Sequence, residues 1–502
     1  MKVFLAIAAK VRGTGVERAM AVARRSIGAA FPVPAEEVTH EEWREPGAAL
    51  LAWTNEPGPA ITYAAGVSGY LADPRDLPAA AAGDLGLGGC YSLFTCRSAA
   101  TGPTGADPVY HAETPELHVY GSRALLVHLV ATGGRVEHDP LALQSMVRQG
   151  YFLSDETPFA GVRALPPGHR ITAGRAEPYG LAEPTDLASA LVASVRGIEG
   201  TARLTLTGGR DSRLIAATLH AAGIPFTAVT YGTQDNPDVI LARKVARRLR
   251  VDHQVIAPKP VTPDDTATRV AEVLRTCEGM TSAYENVAPH TPFRARPSLG
   301  GHGGEILRGG FLLGCQDHRR KLDALFLGNL DLLTAEAAEH ARGLAESWQP
   351  TPETLDHLYL RYRVGRWHAA ARAGIQRSGL RIQPFLDHRV VTAALAVDPA
   401  ERATQGLVHG LIAELAPALA RVPFEARRWP WSKPAQKTPD WRSEPGDALK
   451  SAILGSRELA AIVRLDRVEP LLYGPRLPKP ALVWHLATVA TLLRPMRMAV
   501  AA

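Results

Sequence analysis

Between Ala202 and Ile256 the chain alternates buried-strand runs with helical patterns at a spacing that calls for a parallel sheet. Ala202–Thr207 reads as a strand, Gly208–Gly209 as a tight turn and Asp211–His220 as a helix. A short turn at Gly223 leads to a second strand, Phe226–Tyr231, then a second helix, Pro237–Leu249, and a third strand, Gln254–Ile256. Strands joined through helices run parallel, with right-handed crossovers. Ligands of such sheets bind at the carboxyl ends of the strands, which directs attention to the turn after the first strand.

That turn reads Thr205-Leu206-Thr207-Gly208-Gly209-Arg210-Asp211-Ser212-Arg213. Two glycines let the backbone turn tightly and approach an anion, and the N–H groups of the following helix cradle phosphate. Asp211 at that mouth repels phosphate unless a cation intervenes, so it reads as an Mg²⁺ ligand. Thr207 and Ser212 supply hydroxyls. The plainer reading is a capping turn with Asp211 or Ser212 as helix N-cap. The stretch is neither a Walker loop nor a dinucleotide fingerprint. A second stretch, Leu299–Phe311, carries six glycines and a carboxylate, Glu305, the natural second Mg²⁺ ligand; a flexible surface loop is its plainer reading.

At 502 residues the chain is too long for one core, so two domains are expected. The first third alternates short β-like runs with Gly/Pro turns: Val3–Ala9, Ala49–Thr54, Ala60–Ala65, Tyr91–Cys96 and Leu117–Tyr120. The pattern changes around residues 170–185, which divides the chain into 1–175 and 176–502, and after Asp323 it is mainly helical. Apolar residues at 46% and charged residues at 21% exclude disorder. The net charge of +6 suits anionic ligands. The basic residues are scattered rather than blocked, so no nucleic-acid partner is expected. The four cysteines lack zinc or redox spacing, and Lys10 and Arg12 end the apolar start too early for a signal peptide. Ala481–Leu493 is too short for a bilayer and contains His485, so it reads as a core helix. A cytoplasmic protein without a membrane span is expected.

The first loop resembles the Ser-Gly-Gly-x-Asp-Ser motif of the pyrophosphatase-loop ATP enzymes, with Thr207 for the first Ser. Together the two loops resemble the synthetase domain of the asparagine synthetase family, whose second loop reads Leu-Ser-Gly-Asp/Glu-Gly-x-Asp-Glu-Leu-Phe-Gly-Gly-Tyr. Ile382–Val391 is similar to the family's Arg-x-Pro-Phe-Leu-Asp-His-Arg-Leu-Val, with Ile382 for the Arg. Gly150–Arg170 resembles the junction before the synthetase domain, and Asp238, Ala242, Ala246 and His253 follow the second strand as in the family. The resemblance implies an α/β protein. An N-terminal glutaminase-like (N-terminal-nucleophile) αββα domain precedes an adenine-nucleotide α-hydrolase-like, doubly wound parallel-sheet synthetase domain with a helical C-terminal part. It further implies ATP and Mg²⁺, with Leu206 and Tyr231 bordering the adenine. Thr207, Gly208, Gly209, Asp211 and Ser212 hold phosphates beside Gly300 and Gly301, and Asp211 and Glu305 hold the metal. A basic residue between Arg421 and Lys433 neutralises pyrophosphate; Lys433 is the only lysine there, and Arg427 and Arg428 compete.

The chain departs from asparagine synthetases at position 2, where the glutaminase nucleophile is a cysteine. Lys2 stands there, and no cysteine occurs before Cys90. An ammonium cannot form the thioester that releases ammonia, so the attacking amine must come from the substrate. This is the logic of the family's β-lactam and carbapenam synthetases and lasso-peptide cyclases. His302 replaces the acidic residue of ordinary asparagine synthetases. Arg361–Arg366–Trp367 and Pro423–Trp429 are similar to cyclases of high-GC bacteria. The resemblance therefore implies a ligase that adenylates an Asp or Glu side chain of a precursor peptide and closes a macrolactam, releasing AMP and pyrophosphate. A leader peptidase and a leader-binding protein are the implied partners. His302 is a candidate for hydrogen bonding or proton transfer. Glu285, with Glu278 and Tyr284, reads either as the acceptor-pocket base or as an exposed helix face. Trp367, Trp429 and Trp431 line a peptide groove or pack a core, and Asp387 with Arg389 reads as an ion pair or helix cap. A β-lactam-type small-molecule ligase and a non-catalytic scaffold are the competing functions.

Overall fold

The computed structural model describes residues 1–11, 15–180, 183–257, 266–285, 287–424, 442, 445–473 and 479–494. The expected unit is present as β1 (Ala202–Thr205), α1 (Arg210–Ala221), β2 (Phe226–Tyr231), α2 (Pro237–Leu249) and β3 (His253–Ile256). Helix α2 starts where Asn236 accepts the Asp238 N–H (2.8 Å) ahead of Pro237, and it stops at Arg250 in the left-handed region, φ 56°. Two strands not anticipated, β4 (Arg294–Leu299) and β5 (Gly379–Ile382), complete a five-stranded sheet in the order β3-β2-β1-β4-β5. All neighbours are parallel. Leu204, Leu206, Ala228 and Leu299 are fully buried between helices, and Leu214, Ile215 and Leu219 of α1 pack against them. This is the doubly wound α/β arrangement expected.

The first 178 residues form two six-stranded antiparallel sheets. Strand Lys2–Ala9 shows how they stack. Val3, Leu5 and Ile7 face one cluster with the helices Val16–Ala30 and Ala124–Ala131, while Phe4, Ala6 and Ala8 face another between the sheets. There Phe4 stacks on Phe94 at 5.5 Å. A strand buried on both faces reads as a continuous apolar run, which is what Val3–Ala9 is. The run Ala60–Ala65 is not one strand: Tyr63 and Ala64, at φ 54° and 58°, turn the chain from Ile61–Thr62 into Ala65–Leu71. Left-handed backbone at two successive residues suits a tight hairpin.

One apolar cluster draws on both halves of the chain. Leu5, Leu126 and Met146 share it with Val273, Ile453 and Trp484. The run expected as a core helix is Pro480–Leu492, buried along most of its length. Among the described residues no helix is long and apolar enough to cross a membrane. Buried ion pairs stitch the same seam, Arg123–Glu278 at 3.2 Å and Arg372–Asp107 at 2.9 Å, and Arg377 donates across it to Pro32 O at 3.3 Å. Glu278 is therefore neither an exposed helix residue nor a pocket base; it faces Arg123 and accepts the Ala124 N–H (3.0 Å).

Candidate active site

Strand order reverses at β1, so the loops leaving β1 and β4 diverge at the sheet's switch point, where α/β sheets bind ligands. Both glycine-rich stretches lie there and line a cavity of about 340 Å³. In the first, Ser212 Oγ accepts the Thr207 N–H (3.0 Å) and lies 3.1 Å from Thr207 Oγ1, which accepts the Gly209 N–H (3.2 Å). Gly208 donates its N–H to Asp238 Oδ1 (2.7 Å), and a Cβ on it would meet Leu241 Cδ1 at 2.8 Å, so a larger residue there would have to displace the Leu241 side chain of α2. Gly209 precedes α1 without a side-chain cap, and Asp211 falls inside the first turn. The capping-turn reading thus fails in detail, and the amino end of a 12-residue helix borders the cavity.

The second loop presses onto the first through missing side chains. A Cβ on Gly301 would lie 2.8 Å from Asp211 Cβ, and one on Gly304 would lie 2.4 Å from Asp211 Cγ. Asp211 and Glu305 converge on one guanidinium: Arg308 Nη2 is 2.8 Å from Asp211 Oδ2 and 3.5 Å from Glu305 Oε1. Tyr359 donates its hydroxyl to Glu305 Oε2 (3.0 Å). Burial pushes the Asp211 carboxyl up to about 6; Glu305 adds to the rise and Arg308 opposes it. Two carboxylates already sharing a positive charge fit Mg²⁺. No group of three or more His, Cys, Asp or Glu that could hold a metal occurs among the described residues. Phosphate oxygens and water would therefore complete the shell, as this hard cation prefers.

The opposite wall is a π-helix, Tyr359–His368. At about 4.4 residues per turn, its i→i+5 pattern gathers Tyr359, Arg363, Val364, Trp367 and His368 onto the cavity. A 100° α-helical step would spread them over half the circumference. Arg363 lies over the Trp367 ring, 3.4 Å from its centroid. His302 stacks on His368 with centroids 5.4 Å apart. Burial holds both imidazoles below their ordinary range, His368 well below, and neighbouring arginines reinforce it. The rings are neutral at pH 7.

Of the residues singled out from sequence, Thr207, Gly209, Asp211, Ser212, Gly300, Gly301, His302 and Glu305 line this cavity. Leu206 does not show its side chain there. It is fully buried in the core, and its N–H and C=O bond Val229 O and Thr230 Oγ1. Tyr231 is half exposed at the end of β2, its hydroxyl accepting from Arg203 Nη2 (3.0 Å). Glu285 stands one layer behind the wall, accepting the Trp367 indole N–H (2.8 Å). Arg427, Arg428, Trp429, Trp431 and Lys433 lie outside the described residues. Asp387 caps the helix His388–Leu395 by accepting the Arg389 N–H (2.9 Å) and is fully buried. Sequence reasoning missed Arg308, Tyr359, Arg363, His368 and Arg381 as site residues. The available signal was Arg308, which stands where the second-loop motif has Phe.

No curated protein matches the chain. The asparagine synthase family profile matches residues 201–493, more than half of the chain and all five strands of the parallel sheet with both loops. The chain therefore belongs to the asparagine synthase family, ATP-dependent ligases that form amide bonds.

Proposed function

We propose that this ligase is an AMP-forming macrolactam synthetase of the lasso-peptide type. The observation that carries the reading is the combination of two close-packed ATP-type loops with lysine at position 2. Ammonia from glutamine then has no source in the chain, and the amine must belong to the substrate. ATP lies over the ends of β1 and β4 as co-substrate, its phosphates against the 207–212 loop and the start of α1. Asp211 and Glu305 would hold Mg²⁺, which would supply charge neutralisation to the phosphates. A peptide carboxylate attacks the α-phosphorus and pyrophosphate leaves, toward Lys433 or Arg427. The peptide's own amine attacks the acyl carbon, AMP departs, and an amide remains. The chain contributes positioning and electrostatics. His302, kept neutral, takes the amine proton, and Glu285 steadies Trp367 on the peptide side. A leader peptidase frees the amine, with a leader-binding protein presenting the precursor.

The test incubates the enzyme with ATP, Mg²⁺, those partners and a short precursor encoded beside its gene. The expected product is lighter by one water and carries a protease-resistant tail. Cyclisation of a small β-amino acid instead would move the protein to the β-lactam branch. Failure of ATP–pyrophosphate exchange with every carboxylate tried would favour a scaffold.

A further inference from the structure

The cavity contains one buried cation whose presence the fold does not explain. Arg381 is on β5, where alternation sends Ile382 into the core and Arg381 toward the cavity. The side chain is nine-tenths buried, and no carboxylate pairs with it among the described residues. Its Nε is buried without a hydrogen-bond partner. Its Nη2 makes one long contact, 3.5 Å to His302 Nδ1. Burial, then Arg203 and Arg372, lower its affinity for its proton, to a pKa of about 10. The guanidinium lies against the backbone of the second loop, where a Cβ on Gly300 would fall 2.1 Å from Nη2. Arg372 and Arg402, comparably buried, are each paired with an aspartate, at 2.9 Å and 2.6 Å. A buried guanidinium without a counter-charge is costly. Arg148, Arg213 and Arg366 offset it by donating to carbonyl oxygens, whereas Arg381 has no oxygen acceptor among the described residues and lines the cavity.

We infer that Arg381 is the subsite for the substrate carboxylate, its Nε–Nη2 edge holding both oxygens side-on beside His302 of the second loop. This rests on the reading above and adds its specificity determinant. The unpartnered Nε–H and the adjacent Nη2–H form the fork that matches a carboxylate in two parallel hydrogen bonds. The phosphates have other partners, the α1 amino end and the Arg308–Asp211–Glu305 cluster, on the far side of Gly301. A guanidinium only donates, so His302 Nδ1 accepts in this contact. A carboxylate that takes over Nη2 releases that lone pair, placing an available base beside the acid to be activated.

The test compares wild type with Arg381→Met. Three measurements are made: ligand-free melting, affinity for Mg·ATP by calorimetry, and binding of N-acetyl-aspartate α-methylamide against its asparagine counterpart by saturation-transfer NMR. Wild type should prefer the acid at least tenfold. The methionine variant should lose that preference, keep its ATP affinity within threefold, and melt no lower than wild type. A lower melting temperature would mean a structural arginine, and a parallel loss of ATP affinity would mean a phosphate contact. No acid preference in wild type, or its survival in the variant, would equally overturn the inference. If the preference follows Arg381 but no precursor peptide is cyclised, the subsite stands and the macrolactam reading falls.

Discussion

Gly304→Ala tests the contact on which the site depends. The backbone at Gly304 is not in the left-handed region, so alanine is permitted there and only the neighbour objects. The new methyl would meet Asp211 Cγ at 2.4 Å, Oδ1 at 2.6 Å and Cβ at 2.8 Å, where ordinary contacts begin at 3.4 Å. The loops must therefore separate by about 1 Å, and overpacking of this kind costs about 1–3 kcal/mol. A displacement of about 1 Å in a positioning element costs about 10²-fold in rate. We expect a lower denaturation midpoint and weaker Mg·ATP binding by calorimetry. Gly343→Ala is the control. It sits inside the helix Ala335–Glu346 with nothing within 4 Å of its Cβ position, and should stabilise by about 0.5–1 kcal/mol. Adding Asp211→Ala removes the two closest atoms, so the double variant should recover stability relative to the sum, a coupling of about 1 kcal/mol. Wild-type stability and ATP affinity in Gly304→Ala would refute the argument.

Two further outcomes follow from the same geometry. Without nucleotide or Mg²⁺, the Asp211 carboxyl titrates near 6 rather than at its ordinary 3.8. The folded state then binds more protons than the unfolded one between those values, and stability falls as pH rises through them. Asp211→Asn should match wild type near pH 4 and exceed it by about 2–3 kcal/mol above pH 7, as urea titrations across pH would record; a variant less stable at pH 8 contradicts the burial assigned to this carboxyl. Glutamine incubated with the enzyme should yield no glutamate above background, and robust enzyme-dependent release would restore a glutaminase despite Lys2.

The β1–α1–β2–α2 unit was legible because its apolar spacing is set by burial on both faces of a sheet. Leu204, Ala228, Leu214 and Leu219 are all fully buried. Strand β4 was not legible. It spells Arg-Ala-Arg-Pro-Ser-Leu, and only its end pairs with β1, Ser298 with Arg203 and Leu299 with Leu204. The second of its two arginines is satisfied locally, Arg296 Nε donating to Thr201 O at 2.8 Å. The phosphate-type loop could be read because its chemistry is contiguous. Arg308 showed only as a departure from the motif's Phe, its pairing with Asp211 lying 97 residues away, and Arg381 showed nothing, since it meets His302 only in the fold. The π-helical wall was equally hidden, because at α-helical spacing Val364 and His368 fall well away from the face that Tyr359, Arg363 and Trp367 share.

The cluster shared by strand Lys2–Ala9 and helix Pro480–Leu492 bears on how such a protein can change over time. On the proposed reading the first half carries no enzymatic task, and such a half is ordinarily free to be discarded. Here its removal would bare the apolar sides of Thr266–Cys277, Asp447–Leu454 and Pro480–Leu492 together and leave Glu278 charged without Arg123. The segment bearing Lys2 is thus kept by the architecture of its neighbour, whatever becomes of its own chemistry.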